Sequence, residues 1–255
     1  MGFVVGNRAT LVIDTGLGPR NGLTILREAE KLSKNTEMYM VSTHFHPEHA
    51  LGEPAFPASA KLIRSRAQQM DIDEFGLATA NIFAARTPLT AELLKDVQFR
   101  RADELFDREK MLDLGGVRVR MLSYGSTHTR GDTSIFVDGD SVLFAGDIIM
   151  NHRFLGFASP YGSVQSWLNV IDQLGALRPA KIVPSHGNMG DVSLIGLNRD
   201  YLRALQDLVA ELKRQGKTVE ETAQLLTAEF RTKYPDWTAP NGVAPAARTA
   251  FNEVR

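Results

Sequence analysis

The chain has 255 residues, 43% hydrophobic and 23% charged, which is the balance of a globular protein with enough apolar material for a sizeable core. With 29 Lys and Arg against 30 Asp and Glu and no long basic run, the charge does not point to a nucleic-acid partner. The absence of cysteine removes disulfides, thiolate metal sites and cysteine nucleophiles together. No run of about 18 apolar residues is present, so no membrane span is predicted. The N-terminus lacks the basic and apolar blocks of a signal peptide, but a processed N-terminus would look the same. Localisation therefore stays open between cytoplasm and periplasm.

Phe3 to Val5 and Thr10 to Ile13 read as paired strands around a turn at Gly6-Asn7, and Asp14-Thr15-Gly16 ends the second with turn chemistry. Leu23, Leu26, Ala29 and Leu32 recur at helical spacing. Met38 to Ser42 is a short strand that stops at His44, and Leu62-Ile63 is another. From Arg66 to about Asp96 the pattern is helical, broken at Pro88. Val117, Val119 and Met121 alternate with Arg118 and Arg120 as in a half-buried strand. Ser134 to Val137 and Val142 to Ala145 flank Asp138-Gly139-Asp140, a hairpin signal. Trp167 to Leu177 reads as a helix and Lys181 to Val183 as a last strand. Helices over roughly 198–215 and 219–230 follow, separated by Gly216. Strands and helices alternate without a compositional break, so one α/β domain is expected over 1–255, with a core of 1–197 and a helical segment from 198.

Three of the six histidines fall within His44-Phe45-His46-Pro47-Glu48-His49. In extended backbone, residues two apart point to the same side, so His44 and His46 can reach one cation. Pro47 then turns the chain and lets Glu48 and His49 present further donors. Imidazole and carboxylate suit Zn²⁺, Fe²⁺ or Mn²⁺. His128, Asp147 and His186 each follow a predicted strand, the position at which ligands gather in α/β sheets. His152 shares no such setting and reads as a loop residue.

These motifs resemble the metallo-β-lactamase superfamily, whose H-x-H-x-D-H signature appears as His44 to His49. The later family histidines match His128 and His186, the bridging aspartate matches Asp147, and Leu11 to Gly16 is similar to the early strand and turn. The resemblance covers about residues 3 to 190. It implies a four-layer αββα sandwich with a C-terminal helical extension and a dinuclear site, two Zn²⁺ with Fe or Mn as alternatives. His44, His46 and His128 would hold one ion and His49, His186 and Glu48 the other, with Asp147 between them. Glu48 departs from the pattern: its extra methylene displaces the carboxylate by roughly 1.5 Å, whereas coordination bonds tolerate only ~0.2 Å.

The function this implies is a hydrolase in which a metal-bound hydroxide attacks a small-molecule acyl substrate (an amide, lactam or ester), with β-lactamase activity as its most testable form. Glu48 and Asp147 are the catalytic candidates, as groups that orient water and carry its proton. Lactamases with a cysteine ligand are excluded, and the bridging aspartate favours a broader hydrolase. The alternatives are a glyoxalase II-like thioesterase, a phosphodiesterase and a mononuclear iron sulfur-dioxygenase. Met70, Phe75, Leu77, Ile82 and Phe83, and Phe154, Leu155, Phe157 and Tyr161, are candidates for an apolar cleft wall, with core packing the commoner role for such residues.

Overall fold

The structure, a computed structural model, describes residues 1–254. The chain forms two compact units, one of Met1–Ser123 with Thr133–Asp140, the other of Tyr124–Asp132 with Ser141 onward.

The first unit is built on a five-stranded sheet in the order β1 (Gly2–Val5), β2 (Ala9–Ile13), β3 (Glu37–Val41), β4 (Lys61–Ser65) and β5 (Glu104–Phe106). β1 and β2 pair antiparallel and the remaining neighbours pair parallel, with Val12 opposite Met40 and Ile13 opposite Val41. Every residue of β2 is buried, the mark of a strand covered on both faces. The long α1 (Gly18–Leu32) connects β2 to β3, and its Ile25 and Ala29 pack with Val12, Met40 and Leu62. The inward face of α1 differs from the apolar stripe read from the sequence: Gly18, Gly22, Ile25 and Ala29 are buried, while Leu23 and Leu32 are exposed. The reason is distance. A Cβ on Gly22 would lie 2.2 Å from the Gly52 carbonyl oxygen, so the helix meets the neighbouring backbone through a residue without a side chain.

After the short α2 (Pro47–Ala50) and β4, the segment expected to be helical is a run of pieces: α3 (Arg66–Asp71), a π-helical turn (Ile72–Gly76), α4 (Leu77–Ala84) and α5 (Pro88–Leu93). The break falls at Pro88, where Thr87 caps α5 by accepting from the Thr90 N–H. β6 (Glu109–Asp113), β7 (Arg118–Leu122) and β8 (Ser134–Val137) form an antiparallel ladder in the same unit. In β7, Val119 and Met121 are buried while the intervening Arg120 is only half-buried, as their alternation predicts. Neither β5 nor β6 was expected.

In the second unit β9 (Val142–Gly146) and β10 (Lys181–Pro184) pair parallel, connected by a loop and α6 (Val164–Ala176). α7 (Ser193–Arg214), α8 (Val219–Lys233) and α9 (Val243–Glu253) follow. α7 starts five residues before its expected onset at 198, and α9 was not expected at all. Phe154, Tyr201, Phe230, Tyr234 and Trp237 form an aromatic cluster, with the Tyr234 and Trp237 ring centres 4.6 Å apart. Phe154 and Leu155, candidates for a cleft wall, are thus core residues, 2% and 0% exposed. No helix among the described residues is long and apolar enough to cross a membrane.

Candidate metal centre

The predicted metal residues fall into two sets, one in each unit. In the first unit, β3 runs into Ser42 and Thr43, and the bent backbone beyond buries His44 and Phe45 and leaves His46 half-buried. The His44 and His46 ring centres lie 4.7 Å apart and those of His44 and His49 4.2 Å apart. Pro47 opens α2 and His46 is its N-cap, so one tight turn brings His49 back beside His44. Glu48 lies in the same turn.

This loop is held by groups far away in the chain. The His49 carbonyl accepts from the Thr15 N–H at 2.7 Å and from the Thr15 hydroxyl at 3.1 Å. Ser42 Oγ lies 3.2 Å from the same carbonyl and 2.7 Å from Glu53 Oε1, so its one proton is shared between two acceptors. Asp14 adopts φ 61°, a left-handed conformation that aspartate tolerates better than most residues. Its carboxylate accepts from the Thr43 N–H at 2.7 Å and lies 3.0 Å from His49 Nδ1. Burial alone would raise the Asp14 carboxyl, but the His49 charge and hydrogen bond and the Thr43 N–H outweigh it and hold Asp14 below the usual carboxylate range. A neutral imidazole that donates from Nδ1 carries its lone pair on Nε2, so Asp14 selects the tautomer that can coordinate through Nε2.

In the second unit His128 Nε2 and His186 Nε2 lie 3.6 and 3.5 Å from the same Asp147 oxygen, Oδ2. Asp147 follows Gly146 at the end of β9, and His186 follows the end of β10. The Ser185 N–H donates to the Gly146 carbonyl at 3.1 Å and ties these two strand ends together. His128 Nδ1 is 2.5 Å from the Gly156 carbonyl, the counterpart of the Asp14 contact to His49. Asp132 organises the turn that carries His128. It accepts from the Thr129 N–H at 2.6 Å, from the Thr129 hydroxyl at 2.9 Å and from the Thr127 hydroxyl. Burial pushes the Asp132 carboxyl up to about 6, against the opposing pull of His128 and these donors. Asn198 on α7 bonds both the N–H and the carbonyl of Met150, fixing the chain beyond Asp147.

His152 lies on an exposed bend at φ 50°, its ring 6.3 Å from that of Trp237. Of the predicted apolar wall, Phe83 is buried with its ring centre 5.5 Å from that of His46, whereas Met70, Leu77 and Ile82 are exposed. Asp14, Thr15, Ser42, Asp132 and Gly156 were not singled out as site residues from the sequence. The only trace of them was the turn chemistry of Asp14-Thr15-Gly16 and the Ser126 to Asp132 segment around His128.

The residues fit a metal ion. Glu48 Oε2 is buried without a hydrogen-bond partner among the described residues, and a desolvated carboxylate oxygen needs a proton or a cation to offset its lost hydration. The donors are imidazole and carboxylate, the set that suits zinc and its neighbours. His49 and His128 each have Nδ1 engaged by an acceptor, as metal-binding histidines usually do.

Residues 1–186 match the family model described as the metallo-β-lactamase superfamily. No curated protein matches the sequence. Among solved structures, a metallo-β-lactamase from Pontibacter korlensis is similar at 20% identity and TM-score 0.60, covering 79% of this chain and 85% of that one. The DIM-1 metallo-β-lactamase is similar at 17% identity and TM-score 0.61, over 79% of this chain and 85% of that one. A double mutant of the sec-alkyl sulfatase PisA1 is similar at 14% identity and TM-score 0.78, over 98% of this chain but 46% of the sulfatase. At these identities the likenesses concern the fold, and they agree with the α/β sandwich and C-terminal helices expected from the sequence. The chain belongs to the metallo-β-lactamase superfamily, whose members are generally metal-dependent hydrolases.

Proposed function

We propose that this protein is a zinc-dependent hydrolase of small acyl substrates, with a dinuclear centre drawn from both sets of donors. By the superfamily resemblance, His44, His46 and His128 would hold one ion and His49, His186 and Glu48 the other, with Asp147 as a further ligand. The observation that carries the reading is the pair of pre-arranged donor sets, each with a histidine anchored through Nδ1. When bound, the ions supply Lewis acidity that activates water and polarises the bond to be cut. Asp14 and the Gly156 carbonyl keep His49 and His128 in the coordinating tautomer. Asp147 orients the incoming water through Oδ2, and Glu48 takes up its proton and delivers it to the leaving group. No side-chain nucleophile is needed.

A second reading, cleavage of a sulfate ester by the same residues, is favoured by one observation. The sulfatase likeness extends over 98% of the chain, whereas the two β-lactamase structures each cover 79%.

Metal analysis coupled to a substrate panel tests both readings. The panel comprises nitrocefin, a lactone, a glutathione thioester, bis-p-nitrophenyl phosphate and a secondary alkyl sulfate. Two zinc equivalents with acyl turnover support the first reading, and preferential sulfate release supports the second. One iron would indicate the oxygenase alternative, and no metal in protein purified without chelator would sink the metal assignment. His46→Ala is expected to lower turnover by more than about 10²-fold, the scale of losing a positioned catalytic element. Rates near wild type would refute the role of His46.

A further inference from the structure

Arg86, just beyond α4, lies on the face of an aromatic ring. Its guanidinium carbon lies 3.4 Å over the centre of the Phe83 ring, and the Phe83 ring centre lies 5.5 Å from that of His46. Arg86 is exposed, Phe83 is buried and His46 is half-buried, so the three form a continuous run from solvent to a predicted metal ligand within the first unit. The two distances bound the separation of the guanidinium carbon from the His46 ring centre at about 9 Å.

Four other arginines of the first unit are committed to carboxylates: Arg20 to Glu92, Arg64 to Glu53, Arg66 to Asp107 and Arg100 to Asp103. No carboxylate pairs with Arg86 among the described residues. Its cation–π contact, about 0.5–1 kcal/mol at an exposed site, holds the guanidinium plane without using any of its N–H donors. Those donors keep the fork geometry that binds a carboxylate or sulfate through two parallel hydrogen bonds. An unpaired cation this close to a cationic centre is unfavourable in the loaded protein, and an anion bound to the exposed guanidinium reverses the sign.

We infer that Arg86, held flat on Phe83, is a specificity-determining residue that binds an anionic group of the substrate, a carboxylate or sulfate set about three to five bonds from the reacting centre. The link to catalysis rests on the hydrolase reading, while the anion site itself rests on the Arg86–Phe83 geometry.

The test compares mono-4-nitrophenyl glutarate, which carries a carboxylate, with neutral 4-nitrophenyl butyrate on the zinc-loaded full chain. Arg86→Gln is expected to raise KM for the glutarate ester at least about tenfold, one charge-assisted contact, and to leave the butyrate ester within about twofold. Arg86→Lys should restore only part of the loss, because an ammonium lacks the planar fork. Equal changes on both esters would make Arg86 a structural residue and overturn the inference. A binding arm independent of turnover uses calorimetry with glutarate and with inorganic sulfate. Weaker binding to Arg86→Gln supports the site, with the tighter of the two anions identifying its class. No binding to the wild type, or equal binding to the variant, overturns it. If neither ester is hydrolysed, the carboxylic-ester form of the hydrolase reading fails and the binding arm still decides the anion site.

Discussion

Removing Arg64 should expose how strongly the histidine loop depends on a buried ion pair. Arg64 Nη2 lies 2.6 Å from Glu53 Oε2, with the two side chains 1% and 0% exposed. Its Nη1 donates to Gln69 Oε1 at 2.7 Å and to the Arg100 carbonyl at 3.1 Å. Burial raises the Glu53 carboxyl, and the pulls of Arg64 and Ser42 leave it above its ordinary value. Arg64→Leu leaves that carboxylate buried without its cation, a loss of about 3–5 kcal/mol, which is a large part of a typical domain's stability of roughly 5–15 kcal/mol. The sign with pH follows from the raised value. A carboxyl with a folded pKa above its unfolded one contributes stability that is fully present below the unfolded value and lost as pH rises through the folded one. Arg64→Leu removes a pull that lowers the Glu53 pKa, so its destabilisation should be small near pH 4.5 and grow towards pH 8. Urea unfolding of the metal-stripped protein at these two pH values measures it. The double variant Glu53→Leu/Arg64→Leu should lose less than Arg64→Leu at pH 8, because two apolar side chains leave no buried charge. A pH-independent loss, or a double variant worse than the sum of the singles, would refute the reasoning.

Asp132 offers a second pH window. With its carboxyl raised from 3.8 to about 6, its stability contribution is fully present below pH 3.8 and is lost as pH rises through about 6, a span worth about 3 kcal/mol. Asp132→Asn in metal-stripped protein should flatten the stability–pH slope between these limits, and an unchanged slope would show that Asp132 does not titrate there. Glu48→Asp should retain or raise occupancy of the second metal, read by equilibrium dialysis, whereas a fall would make the longer side chain an adapted ligand. A Cβ at Gly52 would lie 1.9 Å from the Thr15 carbonyl oxygen. Gly52→Ala should therefore displace the Thr15 backbone that holds His49, costing about 1–3 kcal/mol and weakening metal binding about 10-fold or more. Wild-type values for both would show that the two segments separate freely.

The legible part of this protein was local. Short apolar runs located β1 to β4, period-2 alternation located β7, and helical patterns located α1, α6, α7 and α8. The cluster from His44 to His49 was legible through its spacing, and Glu48 stood out only against the superfamily signature. Elements without a recurring apolar face were invisible. β6 buries only Leu112, and α9 packs through Val243, Ala246, Ala247 and Ala250, with Pro245 in its first turn reading as a breaker. On α1 Leu23 and Leu32 are exposed while Gly22 is buried with Ile25 and Ala29, because at Gly22 the close approach of the Gly52 backbone leaves no room for a side chain.

Alternation and spacing therefore pointed to an α/β chain and nominated candidate donors, while the sandwich and the division of donors between two ions came from the superfamily resemblance. They could not show that Asp14 holds His49, that the Gly156 carbonyl holds His128, that Glu53 and Arg64 support the loop, or that Arg86 lies on Phe83 beside His46. Periodicity reports only which face of a segment is apolar. Partners tens of residues apart meet through the path of the chain, and their polar contacts leave no periodic trace in either segment.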